Sequence, residues 1–452
     1  MKLDREALAA ADHRALWHPF TQMQEWLSEE PLIIEAGEGN ELIDVDGRRY
    51  LDGVSSLWCN VHGHRKREID DAIRAQLDRI AHSTLLGLAS APSIELAERL
   101  LAIAPPGLTR VFYSDSGATA AEIALKMAFQ YWQIRGETQR TRFASLTEAY
   151  HGDTLGSVSI GYSEGFHRFF KPLLFSALRL DPPHVFRFYR RMTPEAALDA
   201  ALEEARRTLR AHAAELAGVF IEPLMQGAAG MWDQPVGYLR GLREITRELG
   251  LLLICDEVAT GFGRTGKMFA CEHAGVSPDL LCLAKGLTGG YLPLAATLSS
   301  EEIFSAFLGR YEERKQFFHG HTYTGNALAS AAALANLDLF ESERVLERLR
   351  ETIRRLHDRL AAEVAPLAHV ADVRQWGTMI GIELMLDPEA RSGYDPAERI
   401  GHRVIKHARS RGVAIRPLGD IIILMPPLSI RHAEVERLIA VTAESIREIT
   451  GK

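Results

Sequence analysis

Lys285 closes an apolar run and opens a glycine-rich one, in LLCLAKGLTGG. The ordinary fate of a strand-end lysine is solvation. Apolar and glycine neighbours strip water from the ammonium and favour the neutral, nucleophilic amine, which is what a Schiff-base lysine requires. Asp256 ends a second apolar run, LLLICDEV, 29 residues earlier, which leaves room for a turn, a loop and one more strand. An aspartate there is commonly a turn or cap residue. Its sharper use is as the carboxylate that keeps a ring nitrogen protonated in a bound cofactor. Val258, two positions on, is placed to pack against a ring face.

Ser116 and Gly117 lie in SDSGATAAE, between an apolar run and a long helical pattern. Small residues there let backbone N–H groups and the helix dipole meet a phosphate, although Ser and Asp are also simple N-caps. Tyr150, in AYHG, and Glu222, in AGVFIEPL, also follow apolar runs. The tyrosine is either a core residue or a ring that stacks on a planar ligand. In HGHTYTGN, residues 319–326, two histidines stand at i and i+2, but no further ligands follow at zinc-like spacing, so no metal is expected. A clamp of hydroxyl and backbone groups on phosphate suits the segment better. Lysine, aspartate, tyrosine and phosphate-binding loop are together the parts of a pyridoxal phosphate site.

The elements that must position these groups follow from periodicity. Residues 1–65 read as an amphipathic start and a small antiparallel meander, PLIIEAGEGNELIDVDGRRYLDG. Residues 66–335 alternate helical patterns with short apolar runs, as a mostly parallel sheet covered on both faces does. Residues 336–452 read as a helix, then the strand-forming segments DVRQWGTMIGIELML, GVAIRPLG and IIILMPPL, and a last helix. The expected architecture is a large α/β domain with a small α+β domain built from both termini. Ligands of open α/β sheets bind beyond the carboxyl ends of the strands, where Ser116, Glu222, Asp256 and Lys285 all fall.

GFGRTGK, residues 261–267, matches both a dinucleotide fingerprint and most of a P-loop. Met268 stands where a P-loop needs Ser or Thr, and DEVAT separates the glycines from their strand, so neither nucleotide reading holds. The expectation is a flexible, backbone-exposed loop beside the site. The chain has 452 residues, is 46% hydrophobic and 25% charged, and carries a formal net charge of −8. Those values are globular, and they exclude a disordered scaffold and a basic nucleic-acid binder. No stretch is apolar enough to span a membrane and the N-terminus has no signal-like core, so a cytoplasmic protein is expected. The four cysteines form no CxxC pair and are expected to be buried small hydrophobes.

The motifs DEVATGFGRTGK, LAKGLTGG, HGHTYTGN, SDSGATAAEIALK and AYHGDT, in this chain's order, resemble those of the class III aminotransferases, pyridoxal phosphate enzymes of fold-type I. The resemblance spans nearly the whole chain. It implies that Lys285 carries the cofactor, Asp256 pairs its ring nitrogen and Tyr150 stacks on the ring. It also implies that Val258 and Glu222 line that site and that the mostly parallel sheet of the large domain has seven strands. Ser116 and Gly117 would hold the phosphate, joined by His321 and Thr322 from the other subunit of a homodimer. LWHPFTQM, SSLWCNVHGH, AFQYW, GKMFACEHA and IRPLGD resemble the branch that aminates 7-keto-8-aminopelargonate in biotin synthesis, with S-adenosylmethionine or lysine as amino donor. Phe20, Trp58, Tyr150, Gly320 and Arg416 would then contact the keto acid or donor. Leu57 and Phe20 depart from a tryptophan and a tyrosine common in that branch. The alternative within the class is an ω-amino acid transaminase acting on ornithine, 4-aminobutyrate or β-alanine.

Overall fold

The computed structural model describes residues 4–451. Its centre is a seven-stranded sheet in the order Leu108–Ser114, Ala295–Ser300, Leu280–Leu283, Leu252–Asp256, Leu216–Ile221, Arg142–Leu146 and Leu178–Leu180. Six strands run one way, and Ala295–Ser300 is antiparallel to both its neighbours. The middle strands LAGVFI, LLICD and LLCL are buried at every position, because helices cover both faces. One face packs helices such as Ala91–Ile103 and Val236–Glu248, and the other packs Gly117–Ile134. Helix Gly117–Ile134 starts at a capping box in which Ser116 and Thr119 satisfy each other's backbone N–H groups.

Two four-stranded sheets join the chain ends. In one, Ile34–Glu38, Glu41–Asp44 and Arg49–Asp52 form the antiparallel meander, and Val413–Ala414 adds in parallel beside Arg49–Asp52. In the other, Val370–Trp376, Met379–Leu384, Ile421–Leu424 and Arg416–Leu418 follow in antiparallel order. The segment GVAIRPLG is therefore not one strand. It changes sheet at Ile415, and both sheets contribute to one apolar cluster with Leu51, Val413, Ile415 and Leu438. DVRQWGTMIGIELML likewise divides into a hairpin at Gly377, whose φ is +59° and where a Cβ would lie 2.1 Å from the Arg264 carbonyl oxygen.

The GFGRTGK loop corrects the sequence expectation, since Phe262, Gly263 and Arg264 are buried rather than exposed. The Arg264 guanidinium donates to Asn60 O at 2.7 Å, Pro426 O at 2.8 Å and Ser55 Oγ at 3.2 Å. These acceptors belong to loops from both chain ends that meet where water does not reach, and a buried carbonyl without a donor is costly. The glycines bring the backbone close enough for one arginine to tie the loops together. Cys255, Cys271 and Cys282 are buried as expected, whereas Cys59 is only partly covered. Among the described residues no helix is long and apolar enough to cross a membrane.

Candidate active site

Five strand ends converge on one cavity of about 620 Å³, lined among others by Ser116, Gly117, Tyr150, Glu222, Asp256, Val258 and Lys285. Each of these residues follows or ends a strand at its carboxyl end, so the parallel direction of the sheet is what gathers them. Lys285 itself has φ of +46° at the start of a single 3₁₀ turn. Protein packs around most of its side chain while the rest faces the cavity, and this burial lowers the ammonium pKa against the opposing pull of Asp256 and Glu222. Its Nζ lies 5.1 Å from the centroid of the Trp58 ring.

Asp256 is buried and held from two sides. His151 Nδ1 is 2.7 Å from Oδ2, and Val258 N donates to Oδ1 at 3.0 Å. His151 is the site residue that sequence reasoning passed over. Its only sequence signal was its place next to Tyr150 after a strand, and its pairing with a residue 105 positions away is tertiary. Glu222 takes the Tyr150 N–H at 3.1 Å and the Gly227 N–H at 3.0 Å. Full burial pushes its carboxyl up to about 7; His151 opposes the rise and Asp256 adds to it. At Gly117 an added Cβ would stand 2.5 Å from Val258 Cγ1, so the glycine permits the close approach of helix and loop. Ser116 caps and Gly117 opens the 18-residue helix Gly117–Ile134, and a helix N-terminus carries the partial positive charge that suits an anion.

A second cavity of about 810 Å³ shares Trp58, Tyr150, Ala228 and Lys285 with the first and extends to Phe20, Leu57, Phe166 and Arg416. Residues Ser55, Ser56, Leu57 and Trp58 have φ of 51°, 46°, 73° and 71°, a run of left-handed backbone without glycine. Each such residue costs on the order of 1 kcal/mol, so the turn persists only where its surroundings hold it. Arg264 and the Met425 carbonyl hold Ser55, and Asp52 accepts from Ser56 N and Oγ. The outcome is that Trp58 and Leu57 both face the cavity, with the buried indole N–H of Trp58 unpartnered. Arg416 has no ion pair or side-chain hydrogen bond among the described residues, and burial lowers its pKa. It is a free cation in the wall of the same cavity as Lys285.

His321, Thr322 and Gly320 do not reach this cleft within one chain. They line a separate surface cavity with Leu86, Leu88 and Phe318. His321 Nδ1 is 3.1 Å from Asp115 Oδ2, next to the phosphate-type loop. No group of side chains among the described residues has the makings of a metal site.

Residues 23–446 match the family model for class-III aminotransferases, and the chain belongs to that family of pyridoxal phosphate enzymes. It is 59% identical over 445 residues to the adenosylmethionine-8-amino-7-oxononanoate aminotransferase of Nitratidesulfovibrio vulgaris, covering 98% of this chain and 82% of the relative. It is 51% identical to the protein of the same name from Geobacter sulfurreducens, covering 99% of both chains. The crystal structure of the adenosylmethionine-8-amino-7-oxononanoate aminotransferase from Methanocaldococcus jannaschii superposes with a TM-score of 0.94 at 48% identity, covering 99% of this chain and all of that one. The cleft residues fit pyridoxal phosphate. A lysine with a depressed pKa, a buried aspartate held by a histidine, and a helix N-terminus relieved of a Cβ face one cavity.

Proposed function

We propose that this chain transfers an amino group to 8-amino-7-oxononanoate, which is 7-keto-8-aminopelargonate, to give 7,8-diaminopelargonate in biotin synthesis. The amino donor is S-adenosylmethionine or lysine. The observation that carries the reading is the unpaired Arg416 sharing a cavity with Lys285. A long-chain keto acid needs a cation for its distal carboxylate while its carbonyl lies at the lysine, and a guanidinium meets a carboxylate with two parallel hydrogen bonds. The relatives' printed names point the same way. Phe20 and Phe166, edge to face at 5.8 Å at the mouth of the cavity, offer a surface for a planar base and favour S-adenosylmethionine.

Bound pyridoxal phosphate supplies an electron sink for the bond broken at the amine-bearing carbon. Asp256, oriented by His151, would hold the charge on the ring nitrogen, and Tyr150 and Val258 would enclose the ring. Ser116, Gly117 and the helix dipole behind them would hold the phosphate. Lys285, whose ammonium is disfavoured by burial, would take the proton from the donor's amine-bearing carbon and, when the half-reaction runs in reverse, deliver one to the former carbonyl carbon of the keto acid. Trp58 and Tyr150 exclude water from the reacting carbon. The unit made of residues 1–65 and 336–452 brings Phe20, Trp58 and Arg416 to the cofactor unit of residues 66–335.

A homodimer completes the reading, with Gly320, His321 and Thr322 serving the neighbour's site. Its support is the exposure of apolar residues around them: Leu86 is 89% and Phe318 75% exposed in the single chain. The test is amino transfer to 8-amino-7-oxononanoate with S-adenosylmethionine and lysine side by side, against ornithine and 4-aminobutyrate. Turnover with either of the first two supports the reading. Turnover only with the others, on a different keto acid, overturns it.

A further inference from the structure

His167 lines neither cavity, is 2% exposed, and has no part in the site described above. Its Nδ1 accepts the Ser163 N–H at 3.0 Å, which places the proton of the neutral ring on Nε2. That Nε2 is buried without a hydrogen-bond partner. The anion facing it is Asp153, with Oδ1 at 3.8 Å, and the other oxygen of the same carboxylate accepts the Tyr150 hydroxyl at 2.7 Å. The rings of Tyr150 and His167 lie nearly parallel, 11° apart with centroids at 6.2 Å. Tyr150 lines both cavities, so its ring is part of the wall they share.

We propose that His167 is a positioning residue, whose Nε2–H steers the Asp153 carboxylate that tethers the Tyr150 hydroxyl and so holds the Tyr150 ring between cofactor and substrate cavities. A buried N–H without an acceptor is costly, and the short rotation that brings Oδ1 of the exposed Asp153 side chain into range removes that cost. Burial raises the Asp153 carboxyl, but the His167 ring and the Tyr150 hydroxyl outweigh it and leave it below its ordinary range, so it stays a charged acceptor. The helix Glu164–His167 also carries Phe166, the partner of Phe20, so one short element supplies a wall residue of the second cavity and stacks against Tyr150. The proposal rests on the reading of Tyr150 as a wall of the cofactor and substrate site.

The two ring nitrogens can be replaced separately. In His167→Asn the side-chain oxygen replaces Nδ1 and keeps the Ser163 contact but loses the ε donor. In His167→Gln the amide nitrogen falls where Nε2 was and keeps the donor. Each variant is titrated with pyridoxal phosphate as apo-protein, followed by absorbance, and assayed for kcat and KM with both substrates. H167N is expected to lower kcat and weaken cofactor binding by about tenfold, and H167Q to recover to within about threefold. Tyr150→Phe should show a similar loss, and adding H167N to it should make it no worse. Asp153→Asn should reproduce the H167N defect without touching the histidine, which keeps the test decisive if H167N does not fold. A wild-type H167N with a defective H167Q would mean that the residue serves only the Ser163 backbone, and the proposal falls. It falls also if H167N and Y150F losses multiply. If Y150F alone is without effect, the reading of Tyr150 fails first, and the proposal with it.

Discussion

Truncating Arg416 to alanine should damage one half of the reaction and spare the other. The guanidinium sits on the short strand Arg416–Leu418, partly buried, with no carboxylate of its own among the described residues. A substrate carboxylate reaching it would gain charge-assisted hydrogen bonds, each worth about 1.5–3 kcal/mol where water is scarce. For two parallel bonds that share one desolvation cost, a total of about 3 kcal/mol is reasonable, which corresponds to roughly 150-fold in kcat/KM. Arg416→Lys keeps the charge but loses the fork, and should retain most of the electrostatic part, with a loss of about tenfold. The assay is two separate half-reactions followed by the cofactor's absorbance, one with the donor and one with the keto acid, so that neither masks the other. The keto acid half should lose its factor mainly in KM, while the donor half changes by no more than about threefold. Equal losses in both halves, or an R416A enzyme with an unchanged KM for the keto acid, would refute the placement of the distal carboxylate.

Four further outcomes follow from the geometry. Lys285→Ala should abolish turnover and the visible absorbance of the purified protein, and normal turnover would sink the active-site assignment. Gly117→Ala, which drives a Cβ to 2.5 Å from Val258, should weaken pyridoxal phosphate binding by tenfold or more in an absorbance titration. Glu222, with its carboxyl raised by burial to about 7, binds its proton more tightly folded than unfolded. Stability linked to it is complete below about pH 4.5 and is lost as pH rises to about 7, an effect on the order of 3 kcal/mol. Apo-protein carrying Glu222→Gln should therefore gain melting temperature relative to wild type at pH 8 compared with pH 5, and a pH-independent difference would contradict the shift. Arg264→Met should cost about 2–4 kcal/mol in denaturant unfolding by stranding the Asn60 and Pro426 carbonyls, at about 1–3 kcal/mol each, and freeing the left-handed turn that aims Trp58. A loss below 1 kcal/mol would show that the turn holds itself.

Lys285, Asp256, Glu222 and Ser116 were legible because each follows a short apolar run, and a parallel sheet must bring such strand ends to one edge. The meander at 34–52 and the helix that opens at Gly117 were legible for a similar reason, since turn residues and caps act over three or four positions. The glycine loop misled because GFGRTGK has the composition of an exposed phosphate loop. Nothing local reveals that its arginine is wanted by two carbonyls and a hydroxyl some 160 to 210 positions away. GVAIRPLG misled likewise, since a change of sheet at Ile415 depends on which strands arrive beside it, not on the segment's own propensity.

The order of strand-end motifs by itself determined that Lys285, Asp256, Glu222 and Ser116 gather beyond one edge of an α/β sheet. Those signals are local, and the direction of a parallel sheet is the only further information they need. Tertiary structure alone decided the pairing of His151 with Asp256, the left-handed turn that presents Trp58, and the absence of a carboxylate beside Arg416 among the described residues. Each of these depends on residues far apart in sequence being desolvated together. Burial raises the cost of any unmatched polar group, so the choice of partners belongs to the packed fold rather than to any stretch of chain.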